Sequence, residues 1–485
     1  MSRAVKLGSV AGVVGFLAFV EFTSGILQGY YTPLLTEIAR HLGIHDADVN
    51  WLEGTQLMLS ALVVPAMAKL GDMVGHRRML LISTAVTAVA SLALPFTDVF
   101  WVFLVAWALQ GFYVVWLPLE IALVWSRSRS LGSPAAITRR AAGLLVAALE
   151  LGAIAGALTA GALADVIPLQ TTLLIPGIAV AICFFVVLFG VKESPDLTGG
   201  KFDTGGLILI SLALLALTGG LSLLRLAGPG DLLSWAVMLL GVLLVIPFAR
   251  YELRQKDPLI DVRLFRSPAL GPIFLTAGLF GVSVLGAQAP LSTFARTDAA
   301  TYGYGLSATS GQTSILIGAY VLSMIVGAML FPIATRFVTP RIALIGASSL
   351  VAIGYLLFLP FHDGYVNVLS NMIIAGIGSG ALVAALPAAA AAAAPRRQTG
   401  VATGLTNSVK TVGGAIASCV FGIALLSHVG GTATEGTAGS LSGYITVWLV
   451  CGLTAVVAAV LLVFVPKLAF SDAAVAEVAT EPVVR

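Results

Sequence analysis

Long unbroken apolar runs separated by short polar segments dominate this chain of 485 residues. The runs fall near 9–31, 50–70, 79–97, 100–124, 141–163, 170–191, 205–225, 232–250, 269–291, 311–334, 341–361, 365–388, 400–427 and 441–465. Each approaches or exceeds the roughly 20 residues that carry an α-helix across a hydrocarbon core. None shows the short alternating segments of a membrane β-barrel. The pattern therefore predicts an all-α polytopic membrane protein with fourteen transmembrane helices. The first run follows Arg3 and Lys6, as a signal peptide would. It carries Glu21 at its middle, however, and no small-x-small cleavage site follows, so it reads as a retained span.

Composition agrees. Hydrophobic residues make up 58% of the chain and charged residues 10%, with a mean hydropathy of +1.01. No soluble fold of this size has the interior to hide so much apolar surface, which excludes a soluble enzyme, a disordered chain and a nucleic-acid binder. A net charge of +3 calls for no electrostatic partner, and the 52 glycines suit closely packed membrane helices. Cys183, Cys419 and Cys451 lie in apolar runs, with neither metal-ligand spacing nor a disulfide framework. Nothing calls for a cofactor or a metal, and no phosphate-binding loop of the G-x-x-x-x-G-K-[ST] type occurs. Transport would then run on ion or substrate gradients.

With both ends on one side, 22 of the 26 lysines and arginines fall in loops or tails of that side. Only Arg40, Arg225 and Arg296 fall on the other, and Lys410 sits within a span. Such an asymmetry places the rich side in the cytoplasm. The expected location is a bacterial-type inner membrane, with both termini cytoplasmic.

Two polar loops organise the chain. Residues 192–204 are rich in turn formers, and 251–268 are mixed-charge and amphipathic, as expected of a segment lying along the cytoplasmic face. They bracket a two-span insert, leaving six spans on each side. The expected units are an N-terminal bundle (1–191), a linker with two inserted helices (192–257) and a C-terminal bundle (258–485). The halves echo one another: Arg139-Arg140-Ala-Ala-Gly143 opens the fifth span of one, and Arg396-Arg397-Gln-Thr-Gly400 the fifth of the other. Parallel six-span repeats are a transporter architecture, with the substrate site near the midplane.

Residues Ala68-Lys-Leu-Gly-Asp72-Met-Val-Gly75-His-Arg77-Arg78 join spans two and three. Asp72 at a helix end can bond basic groups or a helix N-terminus, and Gly75 permits the tight turn. The segment resembles the signature loop of the major facilitator superfamily, G-x-L-x-D-R-x-G-R-[KR], and Asp72, Gly75, Arg77 and Arg78 are the gating-loop candidates. Asp257-Pro-Leu-Ile-Asp-Val-Arg-Leu-Phe-Arg266, Leu104-x5-Gln110-Gly111, Gly404-x2-Asn407-x5-Gly413-Gly414 and Gly152-x3-Gly156-x4-Gly161 resemble segments of its fourteen-span drug/proton antiporter branch. That resemblance implies two six-helix bundles that alternate access, with a two-helix insert. Two positions depart from it. Trp107 stands where the branch usually has an arginine associated with proton coupling, and Ala157 where a proline follows the span-five glycine; the second change predicts a straighter helix.

Ionisable groups inside spans are costly and mark function by default. Glu21, Glu150 and Lys410 lie near mid-membrane by counting from their basic flanks, and Glu120 nearer the cytoplasmic end. These four are the candidates for proton coupling or substrate binding. Glu21 could bind a cation or a proton, or form a structural pair with Lys410; Glu150 and Lys410 could pair across a cavity. Glu53 reads as interfacial and solvated. Trp107, Gln110, Tyr113 and Asn407 are the substrate-cavity candidates, although helix-to-helix bonding is the commoner role for Gln110 and Asn407.

The expected function is secondary active export of a lipophilic small molecule, drug-like and cationic in one version, by proton antiport. Its partners would be substrate, protons and the bilayer, and the working unit a monomer. The competing expectations are export of a lipid or an endogenous hydrophobic metabolite, an uncoupled facilitator, and a non-transporting membrane scaffold.

Overall fold

The computed structural model describes residues 3–128, 134–193, 202–394, 399–426 and 437–464, all helix, turn or loop. The first set of helices comprises α1 (Arg3–Tyr30), a short α2 (Leu35–Leu42), α3 (Val49–Val74), α4 (His76–Ala93), α5 (Phe100–Gln110), α6 (Trp116–Ser128), α7 (Pro134–Ala164) and α8 (Leu169–Gly190). The inserted pair is α9 (Thr204–Ala227) and α10 (Leu232–Glu252). The last set comprises α11 (Gly271–Gly281), α12 (Gln288–Arg296), the single turn α13 (Ala299–Tyr302), α14 (Ser310–Ala334), α15 (Pro340–Leu357), α16 (Tyr365–Ala393), α17 (Thr399–Leu426) and α18 (Leu441–Phe464). Thirteen helical stretches among the described residues are long and apolar enough to cross a membrane. The 28-residue α1 occupies the first predicted run, so the expected fourteen is compatible with this count.

Two spans are broken where continuous helices were expected, and contacts with neighbouring helices or a missing backbone donor explain each break. In the fourth, a 3-10 turn (Gly111–Val115) separates α5 from α6. A Cβ on Gly111 would stand 2.7 Å from both the Gln56 carbonyl and Ser60 Oγ of α3. Ser60 Oγ also donates to the Gly111 carbonyl at 3.0 Å, occupying an acceptor that the tighter turn releases. In the ninth, a π-turn (Val282–Gly286) separates α11 from α12. Tyr355 Oη donates to the Ser283 carbonyl there at 2.6 Å, and Pro290 has no N–H to offer Gly286 four residues back. The fifth span, α7, runs as one helix of 31 residues.

Glycine seams give the internal repeat its physical content. Gly25 and Gly29 of α1 press their Cα atoms against the backbone carbonyls of Leu149 and Ala153 in α7, and Gly152 meets Phe22 in return. In the last set, Gly281 of α11 meets the Lys410 carbonyl in α17, and Gly413 meets Gly278. The first and fifth spans of each half are thus packed backbone to backbone in the same way. Of the paired motif on which the repeat was first read, Arg396, Arg397 and Gln398 lie outside the described residues.

The buried apolar side chains form two large clusters, one drawn from residues 17–191 with Ala289, the other from 264–462 with Ala47. Small clusters join them along α3 and α17: Trp51 with Cys419, and Met58 with Ala415. The inserted helix α9 contributes Leu221 and Leu214 to these same clusters, so the insert docks on the seam. Arg225 fixes its end by an ion pair of 2.5 Å to the buried Asp48.

The protein has one closed face. A set of hydrogen bonds and an ion pair joins the first and last sets away from the basic loops. Arg296 binds Glu37, Ser310 Oγ donates to Glu37 at 3.2 Å, and Ser292 Oγ donates to the Thr32 carbonyl at 2.5 Å. Ser418 Oγ donates to the Asn50 carbonyl at 2.9 Å, and Asp46 N to the Thr437 carbonyl at 2.9 Å. The amphipathic α2, not anticipated from sequence, forms part of this plug. The segment after α10, expected as an amphipathic surface stretch, is mostly turns around a 3-10 helix (Val262–Arg266). Its Asp257 meets Lys69 at 3.7 Å.

Candidate functional site

Glu21 lies nine residues, or about 13 Å, below the plugged end of α1. Glu120 comes from α6, beyond the 3-10 turn that breaks the fourth span. Both side chains are fully buried, and their carboxyls lie side by side. Among the described residues no N–H or O–H donates to any of the four oxygens. The thiol of Cys183 on α8 and the Tyr113 phenol are the other titratable groups whose electrostatics register both or one of these acids. One expectation changes here: the neighbour of Glu21 is the Glu120 carboxyl, which has no exposed surface, and not the Lys410 ammonium. Depth counting could not show this, because the 3-10 turn decides which face of α6 meets α1.

Glu150 on α7 and Lys410 on α17 do sense one another's charge, yet they stand beyond the 4.0 Å of an ion pair. Both are half-buried between the two sets. The cross-cavity pair suggested by their matching spans is therefore open in this conformation.

Beneath the plug lies a narrow recess between the halves. Trp107 and Tyr113 line it, as do Gln28, Tyr31, Gln56 and Gln288. Trp107 packs against Tyr31 with ring centroids 4.9 Å apart and stacks on Phe103 at 5.9 Å. The residue in the usual arginine position thus forms an aromatic wall. Gln110 stands behind that wall, fully buried, with Nε2 donating to Tyr31 Oη and Ser91 Oγ at 2.9 Å each. Asn407 is half-buried on α17 and does not line the recess. Glu53 does line it, which overturns its reading as a solvated interfacial residue. The cause is the plug: α2 and its flanking turns cover an end of α3 that sequence alone leaves bare.

The turn after α3 carries the second candidate constellation. Gly75 has φ +123°, outside the range L side chains favour, and the Glu193 carboxylate sits 2.5 Å from where its Cβ would be. Glu193 accepts from the backbone N–H groups of Arg77 and Arg78 at 3.0 and 3.1 Å, capping α4. Arg77 donates to the Leu188 carbonyl at 2.7 Å. Asp72 meets His76 at 3.1 Å. Sequence reasoning missed Glu193, an acid within a linker whose only signal was its place opposite this loop.

Residues 17–418 match the Major Facilitator Superfamily. The cephamycin export protein CmcT of Amycolatopsis lactamdurans is 27% identical over 429 residues, 85% of this chain and 83% of that protein. The tetracenomycin C resistance and export protein of Streptomyces glaucescens is 25% identical, covering 79% and 70%. The multidrug efflux pump LfrA of Mycolicibacterium smegmatis is 25% identical, covering 76% and 71%. Among solved structures, the nucleoside transporter NupG aligns with a TM-score of 0.62 at 14% identity, over 96% of this chain and 98% of that one. A POT-family peptide transporter with sulfate aligns at 0.66 and 14%, over 93% of each. These structural likenesses bear on fold alone. The length matched and the helical architecture agree: this chain belongs to the Major Facilitator Superfamily, and is a multi-pass membrane transporter rather than an enzyme.

Proposed function

We propose that the protein exports a lipophilic small molecule in exchange for protons, by alternating access of two bundles, 1–191 and 258–485. In this reading the basic face is cytoplasmic, the membrane is a bacterial-type inner membrane, and the structure is the inward-facing form with its outer face plugged. The segment 192–257 links the bundles and docks its two helices on their seam, and a monomer suffices.

The observation that carries this reading is the Glu21–Glu120 pair. Two adjoining buried carboxyls without a cation are best accommodated by a proton held between them. Such a proton is released only when the environment changes, which the separation of the bundles would bring about. The aromatic Trp107 leaves no arginine to share this work, so the acid pair replaces the usual route. Export of antibiotics and drugs by the relatives supports a lipophilic substrate.

The test is reconstitution in proteoliposomes under an imposed pH gradient, with cationic, neutral and anionic lipophiles. Wild-type protein should accumulate a lipophile with counter-movement of protons. Glu21→Gln and Glu120→Gln should lose the coupling with unchanged thermal melting. Substrate flux without proton flux would make the protein a facilitator, and flux confined to a lipid would make it a lipid exporter; either result sinks the antiport reading.

A further inference from the structure

Both ends of the inserted helix pair carry buried charge, and the contacts above account for only one of them. At the plugged face Arg225 of α9 meets Asp48. At the basic face Asp203, the residue before α9, lies against Glu252, the last residue of α10. The two are 8% and 1% exposed. Asp203 Oδ1 accepts from the Gly206 N–H at 2.8 Å and so caps α9. Asp203 Oδ2 and both Glu252 oxygens have no donor among the described residues. The carboxyls converge on one point of the backbone: a Cβ on Gly206 would strike Glu252 Oε1 and stand 2.7 Å from Asp203 Oδ2. A Cβ on Gly205 would strike the hydroxyl of Tyr251, which is near enough to feel the charge of both acids.

No lysine, arginine or histidine of the described residues pairs with either acid. Lys69 of α3 is held by Asp257 at 3.7 Å, and Arg263 by Asp261 at 3.9 Å and by the Leu253 carbonyl at 2.8 Å. Arg250, Arg254 and Lys256 are exposed. The Leu259 and Ile260 N–H groups face Glu252 without reaching it in bonding geometry. Two buried carboxylates this close would repel across a poorly solvated gap. One proton removes the repulsion and gives the orphaned oxygens a bond, the Glu252 hydroxyl donating to Asp203 Oδ2. The helix ends decide which acid keeps it. The N-terminus of α9 favours negative charge on Asp203, and the C-terminus of α10 disfavours it on Glu252.

We propose that Asp203 and Glu252 form a proton-operated clasp at the basic face of the inserted pair, closed while Glu252 holds its proton and open once the proton is lost. Asp203 closes the linker from the first bundle and Glu252 precedes the segment that leads to the second, so the clasp pins both linking segments at one point. Opening frees that point alone. Along their middles α9 and α10 stay together, because Gly220 lies against the Met238 backbone and Gly241 against that of Leu217. Closure binds a proton that opening releases, so the closed form is favoured in acid and lost as the medium turns alkaline. The clasp thus reads the pH of the compartment that the basic face meets, whether or not protons drive export.

Infrared spectra of the purified full-length protein carry the carbonyl stretch of each protonated carboxyl. Subtracting Glu252→Gln from wild type removes every other acid, the Glu21–Glu120 pair included. The difference should show one protonated carboxyl at about pH 6 that is gone by about pH 9. A nitroxide on Lys256→Cys, in the freed segment, should gain mobility over the same range, while one on Val242→Cys, at the middle of α10, should not. Glu252→Gln donates to Asp203 without titrating, so in that background the Lys256→Cys label should stay immobile at both pH values. The alkaline fall in melting temperature seen in wild type should also disappear. If Glu252→Gln does not fold, Asp203→Asn, which keeps the helix cap, should abolish the same pH dependence. A Glu252 carboxyl ionised at both pH values, or protonated at both, would overturn the proposal, as would equal pH dependence of the label in Glu252→Gln. Magnesium that raises the melting temperature of wild type but not of Glu252→Gln would put a divalent cation in the place of the proton and overturn it as well.

Discussion

Replacing Glu37 by glutamine should open the plugged face, and the size of the shift can be worked from the contacts. Glu37 receives the Arg296 guanidinium from the opposite set and the Ser310 hydroxyl at 3.2 Å. The two charged side chains are only 21% and 11% exposed. A hydrogen bond to a charged group contributes about 1.5–3 kcal/mol. Partial solvation of Glu37, and the Ala308 carbonyl that Arg296 keeps at 2.8 Å, bring the expected loss to about 1–2 kcal/mol. The loss falls on the plugged form alone, because opening parts these residues and hydrates both. At 1.4 kcal/mol per tenfold, an outward-open form at one part in a hundred would rise to between about one in twenty and about one in five. Spin labels on Asp98→Cys and Asp363→Cys, in exposed loops at the plugged face of the two sets, report the distance directly. The native cysteines are fully buried and should not compete for label. Arg296→Gln should act in the same direction, and the double variant should do little more than either single one. A distance distribution identical to wild type in Glu37→Gln, with the melting point also unchanged, would show that the pair does not hold the plug.

Three further outcomes follow from named contacts. Asp48→Asn should weaken docking of the inserted helices, lowering stability by about 1–3 kcal/mol as Arg225 loses its charged partner, measurable as a drop in melting temperature; no drop would show that the apolar contacts of Leu214 and Leu221 suffice. Glu193→Gln and Asp72→Asn should slow transport turnover while leaving substrate affinity within about twofold, since both lie at the basic face, far from the recess; a large affinity loss at constant turnover would argue against a gating role. Gly152→Val should cost about 3 kcal/mol or more, because its side chain meets the Phe22 backbone and not a movable tip; the readout is loss of folded protein, and a normally melting variant would refute backbone contact along the seam.

How much was legible beforehand depended on the range of the interaction. The spans were readable because each needs only its own 20 or so apolar residues, and the Asp72–Arg78 loop because its spacing is local. The broken fourth span was not, because its cause is Gly111 lying against Gln56 and Ser60 of another helix. That one break turns Glu120 toward Glu21, so the central pair of the candidate site depends on a contact absent from the local pattern. Glu53 was misread for a similar reason. Nothing in residues 49–55 announces that α2, a short amphipathic helix in the loop before them, will help cover them. Glu193 escaped notice because its partners, the N–H groups of Arg77 and Arg78, lie more than a hundred residues away.

The rigid and the breakable contacts of this molecule are made of different chemistry, and their placement is an argument for how it moves. Within each half, α1 is locked to α7, and α11 to α17, by glycines against backbone, contacts that have no second arrangement at similar packing density. Between the halves the polar contacts at the plug are side-chain hydroxyls, one ion pair and a few carbonyls, each worth little in water and readily exchanged for hydration, and beside them α3 packs on α17 and α7 on α14. Moving the bundles as units therefore leaves the seams within each half intact, breaks the plug and repacks these two helix pairs. Glu150 and Lys410 lie on helices of opposite halves and are parted in the plugged form, so they are placed to approach as the plug opens. A double-mutant cycle on these two should give a coupling below about 0.5 kcal/mol in the wild-type background, and a larger one when Glu37→Gln shifts the population outward. Equal coupling in both backgrounds would mean that the distance between Glu150 and Lys410 does not change with the state of the plug, and that the halves do not rotate about the midplane as the seams imply.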